Sequence, residues 1–240
     1  MTDHSPVNLT MLSNFVHQII NPLNGVSGTL DNYLEGDIPE QRREQRLRAA
    51  RAQIEHASLL LRNLAYFAEM DTPSGAARTG RNDRTCVIPQ LVIEAAGFFQ
   101  EQGLSRNIKI HLEDRDTQHK VRGNPDLLRQ VFMNLFDNAV KYGEEGTTVL
   151  VRAWVQKRTG ALVLEIRGKS PGFEHAEKDK LFDIGYRSAG ARSRIASGTG
   201  IGLYICRRIL REVFSGDIDA HYEKPSSEAV FTIKIPGVWI

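Results

Sequence analysis

The chain has 240 residues, 41% of them hydrophobic and 25% charged, enough to bury one large core or two small ones, which excludes a disordered segment. Its 31 basic and 29 acidic residues are mixed along the chain for a formal net charge of +2, so composition offers no nucleic-acid or membrane surface. Cys86 and Cys206 lie far apart without metal-ligating company, which fits a reducing compartment, and no apolar run approaches the ~18 residues of a membrane span.

Two long helices open the chain. Leu9, Leu12, Val16, Ile19, Leu23, Val26, Leu30 and Tyr33 follow alternating steps of three and four, an a/d stripe over more than three heptads. After "EGDIP" the stripe resumes at Leu47, Ala50, Ile54, Ala57, Leu61, Leu64 and Ala68. Two such helices joined by a short Gly/Pro turn form an antiparallel hairpin, and its uncovered seam favours pairing of two hairpins into a four-helix bundle. The basic start of the second helix, "EQRREQRLRAARAQ", reads as a solvated face with i,i+4 support such as Glu44 to Arg48.

Within the first helix, "FVHQIINPLNGV" carries His17, Asn21 and Pro22. His17 and Asn21 sit one turn apart on a face that points out of the seam, which makes His17 an accessible imidazole. Pro22 has no amide hydrogen and frees the carbonyl of Gln18, at a cost of ~3 kcal/mol if nothing compensates, so a kink is expected there. A cost of that size beside an exposed histidine suggests a site, although an ordinary surface histidine next to a tolerated kink remains open.

Residues 71–83, "DTPSGAARTGRND", are small and polar and read as a linker. Beyond it the expected order is a strand at 85–88, a helix at 89–102, strands at 107–113 and 119–122, and a helix at 125–142. Strands at 147–157 and 161–167, an irregular stretch, a helix at 200–214 and strands at 216–222 and 229–235 complete it. Adjacent strand pairs interspersed with helices suggest helices layered on a mixed sheet.

Two stretches of this second part carry phosphate chemistry. "NLFDNAVKYG" sets Asn134, Asn138 and Lys141 at spacings of four and three on one helical face, where two amides and an ammonium can meet a phosphate and its metal ion. "SGTGIGLYICRRIL" sets Gly198, Gly200 and Gly202 just before and into a helix, where backbone amides approach a phosphate at the positive end of the dipole.

Together these residues resemble the sensor histidine kinases of two-component signalling. "HQIINPL" is similar to their phosphoacceptor box, "NLFDNAVKY" to the N box, "GKSPGF" to the first glycine box, "LFDIGYRS" to the F box and "GTGIGL" to the second glycine box, all in the family's order. The resemblance implies an α + α/β sandwich architecture: an N-terminal helical hairpin forming a dimeric four-helix bundle, then an α+β Bergerat (GHKL) ATP-binding domain. It implies domains at 1–72 (dimerisation and histidine phosphotransfer) and 85–240 (catalytic, ATP-binding), with a linker at 73–84.

By position, the resemblance makes His17 the phosphoacceptor, with Gln18, Asn21 and Arg187 as its catalytic company. Asn138 would ligate Mg2+ on the phosphates of ATP, with Asn134 and Lys141 on phosphate oxygens and Tyr142 near the base. Gly168, Gly172, Gly198, Thr199, Gly200, Gly202 and Leu203 would line the nucleotide site, Arg187 would face the transferring phosphoryl group, and residues 174–197 would form a lid. Two departures stand out: Gln18 replaces the usual acid after the histidine, and Gly168 replaces the aspartate that accepts from the adenine amino group.

The implied function is a cytoplasmic, homodimeric kinase core that phosphorylates His17 from ATP and passes the phosphoryl group to an aspartate of a response regulator receiver domain. Asn21 stands where the family orients the water that dephosphorylates the regulator, so phosphatase activity is also expected. Gly168 and Gln18 leave open an alternative, a histidine phosphotransfer adaptor or scaffold with a weakened nucleotide site. A chaperone-like or anti-sigma ATPase is disfavoured by the hairpin carrying His17 and Pro22.

Overall fold

A computed structural model of the chain describes residues 9–69, 84–116, 118–195 and 198–237, with side chains from Leu12 onward. The expected linker at 71–83 and the side chain of Leu9 lie outside the described residues.

Helices α1 (Leu9–Leu34) and α2 (Glu40–Glu69) form the antiparallel hairpin, joined through Gly36 at φ +81°. α1 runs unbroken through Pro22. The stripe is only partly covered within one chain: Ile19, Ala50 and Ala57 are buried, whereas Leu12, Val16, Leu23, Leu30, Tyr33, Leu47, Ile54 and Leu61 are 38–50% exposed. Two helices cannot enclose a seam that both of them border. The fully buried side chains of the hairpin, Phe15 and Leu59, belong instead to a second apolar face that joins the core of the domain behind it.

That domain begins with β1 (Arg84–Val87), α3 (Ile88–Phe98), α4 (Gln100–Ser105), β2 (Lys109–Leu112), β3 (Lys120–Gly123) and α5 (Pro125–Tyr142). It continues with β4 (Thr148–Val155), β5 (Leu162–Lys169), α6 (Ala189–Arg194), α7 (Gly202–Phe214), β6 (Asp217–Glu223) and β7 (Glu228–Ile235). The single helix expected at 89–102 is two. Phe99, at φ −101° and ψ 9°, bonds its N–H back to Ala96 O and turns its ring inward beside Phe98, 5.4 Å between centroids. The irregular stretch contains α6 and two 3-10 turns, His175–Glu177 and Lys180–Phe182.

The main sheet has the order β2-β4-β5-β7-β6, with β2 and β4 parallel and the other neighbours antiparallel; β1 and β3 form a separate antiparallel pair. Alternation along β5 sends Leu162, Leu164 and Ile166 to the inner face. There they meet α5, through Leu128, Phe132, Leu135 and Phe136, and α7, through Ile205, Ile209 and Leu210. The result is an α/β sandwich of helices on one mixed sheet.

α5 matches its expected bounds because both ends are specified. Asn124 caps its start by accepting from Asp126 N (3.0 Å) and Leu127 N (3.4 Å), Pro125 fills the first helical position, and Arg106 closes the far end by donating to Lys141 O and Gly143 O, both 2.9 Å. This rigid helix fixes the direction of the Asn134, Asn138 and Lys141 face.

Candidate functional site: a cavity between hairpin and sandwich

α5, the inner end of β5, the 174–195 segment and the start of α7 enclose a cavity whose remaining wall is the hairpin. Asn134, Asn138, Lys141 and Tyr142 line it from α5. Gly168 and Gly172 line it from β5 and the turn after it, and Gly198, Thr199, Gly200, Gly202 and Leu203 from the loop and first turn of α7. Arg187 and Gln18 complete the wall, whereas His17 and Asn21 stand exposed on α1 and do not line it.

The glycine loop is held in a form that a side chain would destroy. Gly200 has φ +68°, and a Cβ there would stand 2.5 Å from the Gly185 carbonyl carbon. Gly185 in turn donates its N–H to Gly200 O at 3.1 Å. This tight pairing aims the Gly198 and Thr199 N–H groups toward the hairpin, just ahead of the positive end of α7.

Gln18 answers those donors. With its amide oxygen facing the loop, it accepts from Gly198 N at 3.1 Å and Thr199 N at 3.2 Å. Its side chain is therefore committed to the glycine loop and not to the imidazole of His17, the role expected from the resemblance. Successive helical residues point about 100° apart, so the two side chains leave α1 in different directions.

A second polar bridge was not foreseen. Asn63 of α2, 5% exposed, donates to Asn134 Oδ1 at 2.8 Å and accepts from Gln130 Nε2 at 2.7 Å. Gln130 lies one turn before Asn134 on α5, a spacing that marks a shared face. Asn134 lies beside Cys206, whose thiol is pushed up by burial and eased down by the Asn134 amide. Nearby, His56 Nδ1 of α2 lies 3.4 Å from Asp137 Oδ1.

The 174–195 segment folds over the far end of α5. Arg194 donates to Gly143 O at 2.8 Å, and Arg187 Nη2 donates to Ala191 O at 3.3 Å and lies 3.4 Å from Tyr142 Oη. Tyr186 O–H donates to Glu177 at 2.6 Å, which holds the Glu177 carboxyl below its usual range. Residues 196 and 197 of the expected lid lie outside the described residues.

The donors on the wall suit a polyanion: amides, an ammonium, a guanidinium and backbone N–H groups. Among the described residues no group of three or more His, Cys, Asp or Glu side chains could hold a metal by itself. Asn138 offers one amide oxygen, which fits a hard cation that keeps its waters and takes its other ligands from phosphates.

Residues 123–238 match the family described as histidine kinase-, DNA gyrase B-, and HSP90-like ATPase. The chain is 33% identical over 150 residues to the signal transduction histidine-protein kinase BaeS of Escherichia coli, covering 62% of this chain and 31% of that protein. It thus spans under a third of that curated relative.

The fold is similar to that of the Acinetobacter baumannii histidine kinase AdeS, with a TM-score of 0.59, 21% identity, and coverage of 92% of this chain and 97% of that one. It is also similar to the histidine kinase ThkA in its complex with the response regulator protein TrrA, with a TM-score of 0.56, 18% identity, and coverage of 96% and 62%. Residues 123–238 therefore match an ATPase domain of the histidine kinase, gyrase B and HSP90 type, and this chain, which joins that domain to a histidine-bearing hairpin, is similar to histidine kinases in sequence and fold.

Proposed function

We propose that the chain is the catalytic core of a two-component sensor histidine kinase, which moves the γ-phosphoryl group of ATP to His17 and then to an aspartate of a response regulator receiver domain. The observation that carries this reading is the cavity itself. Amide and ammonium groups of α5 face a glycine loop across it, and the helix bearing an exposed histidine forms its edge.

In the transfer, a neutral imidazole nitrogen of His17 attacks the γ-phosphorus, an N–P bond forms, the bond to the bridging oxygen breaks, ADP leaves with the electron pair, and the other ring nitrogen gives its proton to the solvent to which His17 is exposed. Lys141, Asn134 and the Gly198–Gly202 amides hold phosphate oxygens, Tyr142 packs near the base, and Gly168, Gly172 and Leu203 shape the wall. Arg187 turns from its lid carbonyls to the developing charge. Asn138 would hold Mg2+, which when bound would supply charge neutralisation to the phosphates. Asn21, exposed one turn beyond His17, orients water in dephosphorylation of the regulator.

The domains run 1–72 and 85–240 about a linker at 73–84. The half-exposed stripe of α1 and α2 supports a homodimer, in which a second hairpin covers Leu12, Val16, Leu23, Ile54 and Leu61. No helix among the described residues is long and apolar enough to cross a membrane, and both cysteines are buried, in keeping with a cytoplasmic core. The receiver-domain partner is supported by the fold's likeness to the ThkA chain in its regulator complex.

Incubation with γ-labelled ATP and Mg2+ tests the reading. Acid-labile, base-stable label on the protein is the expected outcome, and its transfer to a receiver domain follows. A protein that neither binds nucleotide nor labels leaves the adaptor with a weakened nucleotide site, the reading that Gly168 and Gln18 favour.

A further inference from the structure

We propose that the hairpin, docked as it is here, plugs its own nucleotide site: the Gln18 amide oxygen takes the place of a phosphate oxygen on the Gly198 and Thr199 N–H groups, and nucleotide must displace it. This rests on the reading of the cavity as a nucleotide site and goes beyond it, because it assigns the docked arrangement to the resting enzyme.

Three observations converge. The two loop N–H groups already have an acceptor, 3.1 and 3.2 Å away, supplied by the hairpin. With Gln18, Leu60 and Asn63 in its wall the cavity measures about 140 Å³, below the ~300–1,000 Å³ of small-molecule sites. Finally, Gln18 and not His17 meets the loop. His17 is exposed about 100° further round α1, so phosphoryl transfer requires the hairpin to turn or shift from this position.

Asn63 is the latch of the plug. With Gln130 and Asn134 it forms a polar bridge whose three members are all buried, and it holds α2 on α5 while Gln18 sits in the loop. The acceptor is neutral. A phosphate oxygen on the same donors makes hydrogen bonds roughly twice as strong, so nucleotide wins when it is abundant. Apparent nucleotide affinity is reduced by the fraction of molecules in which the plug is seated.

The sign of this effect can be tested on the full chain by calorimetric titration with Mg-ADP. Gln18→Ala removes the plug's acceptor and should tighten ADP binding, by about tenfold at most for two neutral hydrogen bonds. Gln18→Glu puts a charged acceptor on the same N–H groups and should weaken it by a similar factor. Gln18 is half-exposed, so neither variant threatens the fold. Opposite shifts support the plug. Equal or weaker binding by Gln18→Ala overturns it with the nucleotide site intact, and absence of ADP binding by all three proteins overturns the nucleotide reading and the plug together.

Discussion

Asn63 donates its amide hydrogen to Asn134 Oδ1 at 2.8 Å, and this buried contact ties the histidine-bearing hairpin to the helix that lines the cavity. Because Asn63 also accepts from Gln130, its loss strands two amides on α5 at once. An unsatisfied buried polar group costs about 1–3 kcal/mol. Asn63→Ala is therefore expected to lower stability by about 1–3 kcal/mol, the lower part of the range if the hairpin lifts and lets water in. Urea unfolding checks this, and a variant as stable as wild type would show that the bridge is dispensable.

Gly200 controls the shape of the phosphate loop. At φ +68° a non-glycine residue is strained by about 1–2 kcal/mol, before the clash of its Cβ with the Gly185 carbonyl 2.5 Å away. Gly200→Ala should lower Tm by about 4–8 °C and weaken nucleotide binding more than tenfold, measured by thermal unfolding with and without Mg-ADP. Gly202→Ala should cost the fold less, because a Cβ at Gly202 meets Asn134 at an ordinary 3.7 Å.

Gly168 lies on the inner face of β5, two residues beyond Ile166, and lines the cavity. A Cβ there would find Val149 Cγ2 at 3.4 Å, an ordinary contact, so the first atom of a side chain fits without moving the sheet. Gly168→Asp is expected to tighten ATP binding by about ten- to a hundredfold and to raise discrimination against GTP, which presents a carbonyl where adenine presents an amino group. Titration of both proteins with both nucleotides decides it. Tight, ATP-selective binding by the wild type would mean that another group reads the base.

The fold of the second domain was legible because its signals are local. Asn124, Pro125 and the period of apolar residues fix α5, and alternation fixes β5, so their bounds follow from short stretches. The cavity residues were legible for a related reason: Asn134, Asn138 and Lys141 share a face by spacing alone, and the Gly198–Gly202 run precedes a helix.

What stayed hidden depends on how distant segments meet. Phe15 and Leu59 fall off the a/d stripe, and only the presence of the sandwich behind the hairpin explains their burial. Asn63 looks like an interruption in "LLLRNLAYF" until Gln130 and Asn134 stand opposite it. Gln18 looked like a partner for its sequence neighbour, whereas helical geometry turns it away from His17 and onto the loop.

The central claim is that His17 receives phosphate from ATP. The direct measurement is to incubate the chain with ATP and Mg2+, digest it at alkaline pH and map the phosphoryl group by mass spectrometry. The account predicts an N-linked phosphoryl group on the peptide containing His17 and none in His17→Ala, a variant that should fold normally because His17 is exposed and outside the seam. Phosphate on another histidine such as His56, or undiminished labelling of His17→Ala, would contradict it.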